Sequence, residues 1–216
     1  MDTLSGALKL HALWVGSSGS EGVRLNLAAM DLRDTPLAYA NLVGAKLDRT
    51  DFRNADLNHA NFTGADLTDA DLRSANLSHA DFSTARLNGA RLKGADLRHA
   101  SLCNAHLPAV DLRDTPLTQI DLTGADLSFA HLEQADLSEA KLRATDLSCA
   151  DLRGANLRGV DLGCANLLGA TVRGVLLDAR SNLRDVRTHP DQFRDVNLTA
   201  VRAENRPSLG KLARSA

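Results

Sequence analysis

Residues 40–85 read ANLVGAKLDRTDFRNADLNHANFTGADLTDADLRSANLSHADFSTA, and within them Leu or Phe returns at every fifth residue from Leu42 to Phe82. The register extends in both directions. From Leu27 to Leu177 there are 31 positions at this interval, of which 27 are Leu, three are Phe (Phe52, Phe62, Phe82) and one is Val172. Two residues before each of them stands a small or apolar residue, Ala in 21 cases and Thr in four. The slot between the two is Asp in 14 pentads and Asn in six.

A period of five is neither 3.6 nor 2, so it describes neither an amphipathic helix nor a flat strand. On a continuous helix the Leu side chains would wander round the axis and leave no apolar face. A solenoid removes the difficulty. Each pentad forms one side of a coil, turns a corner, and points its Leu and its Ala inward. Four sides close a coil of 20 residues, and successive coils stack with parallel, β-like pairing. The 31 pentads make about 8 coils, a rod of roughly 37 Å at ~4.8 Å per coil.

Composition agrees. The chain has 216 residues, 44% hydrophobic and 24% charged, yet only 3% aromatic, against 38 Leu. A core of near-identical Leu side chains points to a repeat and away from an ordinary enzyme core. The net charge of −2 excludes a strongly basic nucleic-acid binder. No run of about 18 apolar residues is present, so no membrane span is expected. The first residues, MDTLSGALKLHALWVGSS, lack the basic and long apolar regions of a signal peptide. Cys103, Cys149 and Cys164 are far apart and fit neither a disulfide framework nor a zinc site, which favours a reducing cytoplasm.

The repeated A(D/N)LXX unit resembles the pentapeptide-repeat family, over residues 25–179. The resemblance implies an all-β, right-handed quadrilateral β-helix. Residues 1–24 are expected to form a short N-terminal helical cap and a loop, with apolar positions 4, 7, 8, 10, 13 and 14 on one side of the helix and Trp14 packed on the first coil. Leu183, Phe193 and Leu198 fall one residue out of phase, so residues 180–200 are expected to form an irregular final coil. Residues 201–216 read as a frayed tail.

A 20-residue coil places residues 20 apart in columns on one face. Asp31, Asp51, Asp71, Asp111 and Asp151 share one column, and Arg33, Arg53, Arg73, Lys93, Arg113, Arg153 and Arg173 share its neighbour, which Glu133 interrupts. This is either a self-compensating face or a striped surface for a charged partner. Asp66, Asp126 and Asp146 share a column on a second face, and Asp81, Asp121 and Asp161 share one on a third. Tyr39, His59, His79, His99, Gln119 and Glu139 form another column. Its three His are either tolerated outward residues or a metal-binding or pH-sensitive patch, and the first reading is preferred. The heptad DLRDTPL occurs at 31–37 and again at 111–117, on the same face. Leu57, Leu77, Leu97, Leu117, Leu137 and Leu157 form one ladder of the expected core.

There is no Gly-rich phosphate loop, nucleophile elbow or HExxH motif, so the chain reads as non-catalytic, with no cofactor and no metal. A rod without a pocket suits binding better than catalysis. The preferred reading is a protein-interaction rod whose partner is a protein. The alternative, implied by the resemblance to quinolone-resistance members of the family, is a DNA mimic that binds DNA gyrase or topoisomerase IV and protects it from inhibitors. Residues 25–178 carry 21 acidic against 15 basic side chains, a net −6, as such a mimic requires. The candidate binding surface comprises Asp66, Asp126, Asp146, Asp81, Asp121, Asp161, Arg33, Arg53, Arg73, Arg113 and Arg153. Direct nucleic-acid binding and membrane attachment are not expected, and the family resemblance leaves a homodimer open.

Overall fold

The computed structural model describes residues 2–113, 115–189 and 191–208. Helix α1 (Asp2–Gly16) is followed by the stacked coils and by two short 3-10 turns, Leu198–Ala200 and Ala203–Asn205. Parallel bridges join residues 20 apart: Asn26 to Lys46, Asp31 to Asp51, Pro36 to Asp56 and Asn41 to Asn61 between the first two coils. The same four-sided pattern repeats along the rod. Each side is only one bridged residue wide, and no extended strand forms among the described residues. The corners explain this: each takes two residues of every five, which leaves too little chain for a strand.

Each corner is built from the two residues after Leu. The second has φ near +60°, as at Tyr39 (60°), His59 (56°) and Thr84 (58°). The N–H of the next Ala closes the turn on the Leu carbonyl, at 3.0 Å for Ala45 to Leu42. A single positive φ at the third residue is the type II turn pattern. The preceding Asp or Asn braces the turn. Its Oδ1 accepts the N–H two residues on, as Asp66 does from Thr68 (3.1 Å) and Asp146 from Ser148 (2.9 Å). This local bond is the physical reason for Asp and Asn in that slot.

The inside is a set of ladders. Leu57, Leu77, Leu97, Leu117, Leu137 and Leu157 are stacked and buried, as are the Ala side chains between neighbouring sides. Each such Leu contributes about 1.5–3 kcal/mol by leaving water. Phe62 and Phe82 stack with centroids 4.5 Å apart, and Phe52 meets Phe62 edge-on at 6.3 Å. Thr50 and Thr145 replace Ala without leaving a hydroxyl unpaired, because they donate to the Leu27 and Leu122 carbonyls at 2.8 and 2.7 Å.

Helix α1 lies on the first coil through Leu4, Ala7, Leu8, His11 and Trp14. Leu10 and Leu13, assigned to the same side from sequence, are about half exposed instead. The true inward row runs at i, i+3, i+4, i+7, and its centre is a histidine. His11 is buried, stacks on Trp14 at 5.6 Å, and accepts the Leu25 N–H through Nδ1 at 3.1 Å. In later pentads the N–H at this slot closes a corner on the carbonyl three residues earlier, as Ala45 does on Leu42; Leu25 makes no such bond, and His11 supplies the acceptor. The loop after the helix turns tightly at Gly22 (φ 76°), where a Cβ would lie 2.2 Å from the Leu10 carbonyl oxygen.

At the far end the pairing does not stop at 179. Asn182 bridges Asp161 and Arg187 bridges Asn166, at a spacing of 21, so a single inserted residue accounts for the phase shift. The expectation of a frayed tail from 201 is corrected for residues 201–208. The Leu183 N–H donates to the Asn205 carbonyl at 2.8 Å, and Val201 and Pro207 are buried on the last coil beside Phe193. Gln192 Nε2 donates to the Leu167 and Ala170 carbonyls, which closes further open ends. Residues 209–216 of the expected tail lie outside the described residues.

The repeated heptad places two prolines in unequal positions. Pro36 sits in the first coil, where an N–H would have no coil below to bond. Pro116 sits mid-rod, where the regular pattern would send an N–H to the Ala95 carbonyl. Among the described residues no bridge joins Asp96 to Pro116 or Arg91 to Asp111, although the sides on either end of this seam are paired. Replacing either proline by Asp loosens the unfolded chain equally, but only at 116 does it restore a bond. Pro116→Asp is therefore expected to be more stable than Pro36→Asp by about 1 kcal/mol in denaturant unfolding. The reverse order would overturn this account of the seam.

Burial lowers the pKa of His11 below its ordinary 6.5, with Arg24 adding to the effect. The folded state therefore holds the neutral ring. Its contribution is complete above 6.5 and is lost as pH falls through 6.5 towards the lowered value. The melting temperature should drop between pH 7 and pH 5. His11→Asn, whose Oδ1 can replace Nδ1 as acceptor without titrating, should flatten that drop measurably. An identical pH profile for the two proteins would exclude His11 as its source.

Candidate interaction faces

The Asp and Arg columns form one lattice. Arg33, Arg53, Arg73, Arg113 and Arg153 each pair with the Asp two residues earlier, at 2.5–2.7 Å. Arg33 and Arg53 also reach the Asp of the next coil, Asp51 and Asp71, at 3.7 and 3.9 Å. The guanidinium of Arg113 holds the Asp111 carboxyl at about 2, well below the usual range. These pairs are half exposed, so each adds little stability. Their effect is to make the face electrically patterned but locally neutral.

Three pentads break the lattice, one of them at the far end, where Thr171 stands in the Asp slot before Arg173. Arg91 and Lys93 stand where Asp and Arg stand elsewhere, and His131 and Glu133 reverse the pattern two coils later. Glu133 lies 3.5 Å from Arg153 and 3.8 Å from His131, with its Oε2 buried and without a hydrogen bond. Clefts of 550 and 430 Å³ run along this face between Arg33 and Lys93 and between Lys93 and Arg153.

The two acidic columns are partly neutralised by residues of other pentads. Asp121 pairs with Lys141 at 3.0 Å, Asp161 with Arg143 at 3.6 Å, and Asp126 with His106 at 2.8 Å. Burial raises the Asp121 pKa, but hydrogen bonds from Thr123, Lys141 and Cys103 outweigh it and leave it at about 2. Asp66, Asp81 and Asp146 have no cation within 4.0 Å among the described residues. The six carboxylates therefore form two groups, and the cations that separate them stand in or beside the same columns: His106 below Asp126, Lys141 between Asp121 and Asp161, and Arg143 two residues on.

The fourth face carries the His59 column, but its carboxylates were missed in the sequence. Asp56 and Asp136 lie there with no cation partner among the described residues, each receiving an Asn side-chain N–H from the coil above, at 3.0 and 2.9 Å. The signal was present as DFRNAD and EQADLS, one coil step from Asn76 and Asn156.

The Tyr39, His59, His79 and His99 rings stack in one column at 4.6–4.8 Å and within 8° of parallel. Gln119 continues the column by donating to Glu139 at 2.8 Å. Among the described residues no three His, Cys, Asp or Glu side chains are arranged to hold a metal. Cys149 and Cys164 are exposed and Cys103 is half-buried, all as free thiols. No helix among the described residues is long and apolar enough to cross a membrane.

Four-sided coils bridged every 20 residues define a pentad-built solenoid. The chain belongs to the pentapeptide-repeat family, whose model, "Pentapeptide repeats", matches in eight copies over residues 25–54, 50–89, 85–124, 120–159 and 150–178. Among solved structures it is similar to HetL of the cyanobacterium Nostoc sp. strain PCC 7120, a protein involved in heterocyst differentiation regulation, with 32% identity over 81% of this chain and 94% of that one (TM-score 0.32). It is similar to a pentapeptide-repeat protein of the Arabidopsis thaliana thylakoid lumen, with 30% identity over 45% of this chain and 65% of that one (TM-score 0.38), so it spans just under two thirds of that relative. It is also similar to QnrB1, a plasmid-mediated fluoroquinolone resistance protein, with 19% identity over 83% of this chain and 91% of that one (TM-score 0.47). No curated protein matches the chain.

The carboxylate of each motif Asp has a structural duty separate from its charge. Asp81 accepts the Ser83 N–H at 2.9 Å. Asp81→Asn keeps that acceptor and should melt close to wild type, whereas Asp81→Ala should lose about 1 kcal/mol in denaturant unfolding. Equal losses in the two variants would show that charge, not the turn bond, is what the slot supplies.

Proposed function

We propose that this protein is a non-catalytic interaction rod that presents one of its faces to a protein partner. The observation that carries the reading is the unbroken coil-on-coil ladder, which fixes outward side chains in columns on four faces. The right-handed winding implied by the family resemblance, and the cytoplasmic location favoured by the scattered cysteines, belong to the same reading. Such a surface is rigid before binding, so little ordering entropy opposes association. A photo-crosslinking residue placed in turn at Asn58, Thr68, Arg73 and Ser83 samples the four faces in living cells. Adducts of one discrete mass, dominated by one face, are expected. Absence of adducts from every face would overturn the proposal.

A second reading is favoured by one specific observation. Asp66, Asp81 and Asp146, on two faces, have no cation within 4.0 Å among the described residues, while the carboxylates of the Asp/Arg face are paired. Those faces suit a basic DNA-binding saddle such as that of a type II topoisomerase. Asp66→Asn/Asp81→Asn/Asp146→Asn should bind DNA gyrase more weakly, with a flatter salt dependence, in surface plasmon resonance at two salt concentrations. Arg33→Gln/Arg53→Gln/Arg73→Gln serves as the comparison and should bind like wild type. No wild-type binding at low salt would remove this reading and leave the first standing.

A further inference from the structure

The seam at Arg91 and Lys93 combines three features that occur together nowhere else among the described residues. The coil-to-coil bridge between Arg91 and Asp111 is missing. A cleft of 300 Å³ opens there, with Arg73, Arg91, Lys93 and Asp111 on its walls and Ala90 and Val110 at its floor. The local charge is also unbalanced. Lys93 has no carboxylate within 4.0 Å, and Arg91 reaches only Asp71, at 3.6 Å, a carboxylate already bound to Arg73. Asp111 is likewise taken, by Arg113.

The chemistry of the vacant slot follows from its neighbours. At positions 31, 51, 71, 111 and 151 an Asp carboxylate accepts the N–H two residues on and binds the Arg side chain of that residue. At 91 the acceptor is replaced by a cation. The Lys93 N–H thereby loses its side-chain acceptor, and Arg91 and Lys93 line the same cleft. The bridge lapse adds the Leu92 N–H, which has no backbone acceptor among the described residues. Relative to a normal pentad, which is neutral, this one carries two positive charges.

We propose that the seam binds the phosphate group of a small phosphorylated ligand, which takes the place of the missing carboxylate. Two excess cations and adjacent N–H donors match a dianion with several acceptor oxygens better than a carboxylate with one charge. The site lies on the locally neutral face, so the proposal stands independently of which face meets a protein partner.

The test is calorimetric titration of the full chain with inorganic phosphate at constant ionic strength, with acetate as the parallel arm. Phosphate should bind and acetate should bind at least tenfold more weakly. Arg91→Asp restores the residue found at this slot in five other coils, so the fold has a precedent for it, and it should lower phosphate affinity at least tenfold. Lys93→Gln should do the same if Arg91→Asp proves insoluble. Arg173→Gln, in the same column four coils further on, should bind like wild type. No phosphate binding, equal binding of acetate, or unchanged affinity in Arg91→Asp or Lys93→Gln would each overturn the proposal.

Discussion

The hydrogen bond from the inward Leu N–H to the carbonyl one coil further on, made by most pentads, is the interaction on which the rest depends. It recurs at 2.7–2.9 Å from Leu42 to Asn61, Leu57 to Asn76 and Leu142 to Asp161. One such bond per side is a thin connection, and an isolated coil could not hold it. It persists because the same spacing stacks Leu on Leu inside and columns outside. A residue that removes an N–H, as Pro116 does, weakens the pairing of its own side. The seam shows the consequence: the Leu97 and His99 N–H bonds to that coil stretch to 3.2 and 3.3 Å.

The coil closes only because every corner accepts positive φ. Glycine takes this conformation freely, but most corners here are not glycine. Asn54, Asp69 and Asn104 suit it through short polar side chains, whereas Thr84 and Phe129 do not. Such residues cost on the order of 1 kcal/mol each, and the ladder outweighs them. The same conformation explains the His column. A left-handed corner throws its side chain outward in a fixed direction, and copies 20 residues apart must then lie over one another. The parallel rings of Tyr39, His59, His79 and His99 follow from backbone geometry before any function is considered.

The period, the inward Leu and Ala, and the columns were legible because they are local and repeat. What was not legible depends on contacts that break the repeat. His11 reads as a polar interruption of an apolar helix face, yet the unpaired Leu25 N–H makes an acceptor more useful there than another Leu. The two DLRDTPL copies are identical in sequence, and only their height in the stack makes Pro36 harmless and Pro116 costly. Asp121 and Asp161 look equivalent to Asp81 within their column. They are not: Lys141 stands between them in that column and pairs with Asp121, and Arg143 of the same pentad pairs with Asp161, a difference that a list of the Asp residues alone leaves out. The order in residues 201–208 has the same origin, since the open carbonyls and core of the last coil give polar, unpatterned chain something to bond and cover.

The charge arrangement sets what such a rod can recognise. A column of like charges at ~4.8 Å spacing would repel itself, so neighbouring columns and pentads supply counterions, and the rod settles near neutrality face by face. On the reading proposed above, recognition falls to the places where close ion pairs are missing. Asp66, Asp81 and Asp146 are such places on the acidic side, and Arg91 with Lys93 on the basic side. In a regular lattice these departures are the positions where an outside charge can complete a pattern that the chain itself leaves open. A partner fitted to one of them gains the counterion that the other coils already hold, and it meets no rearrangement of the backbone in doing so.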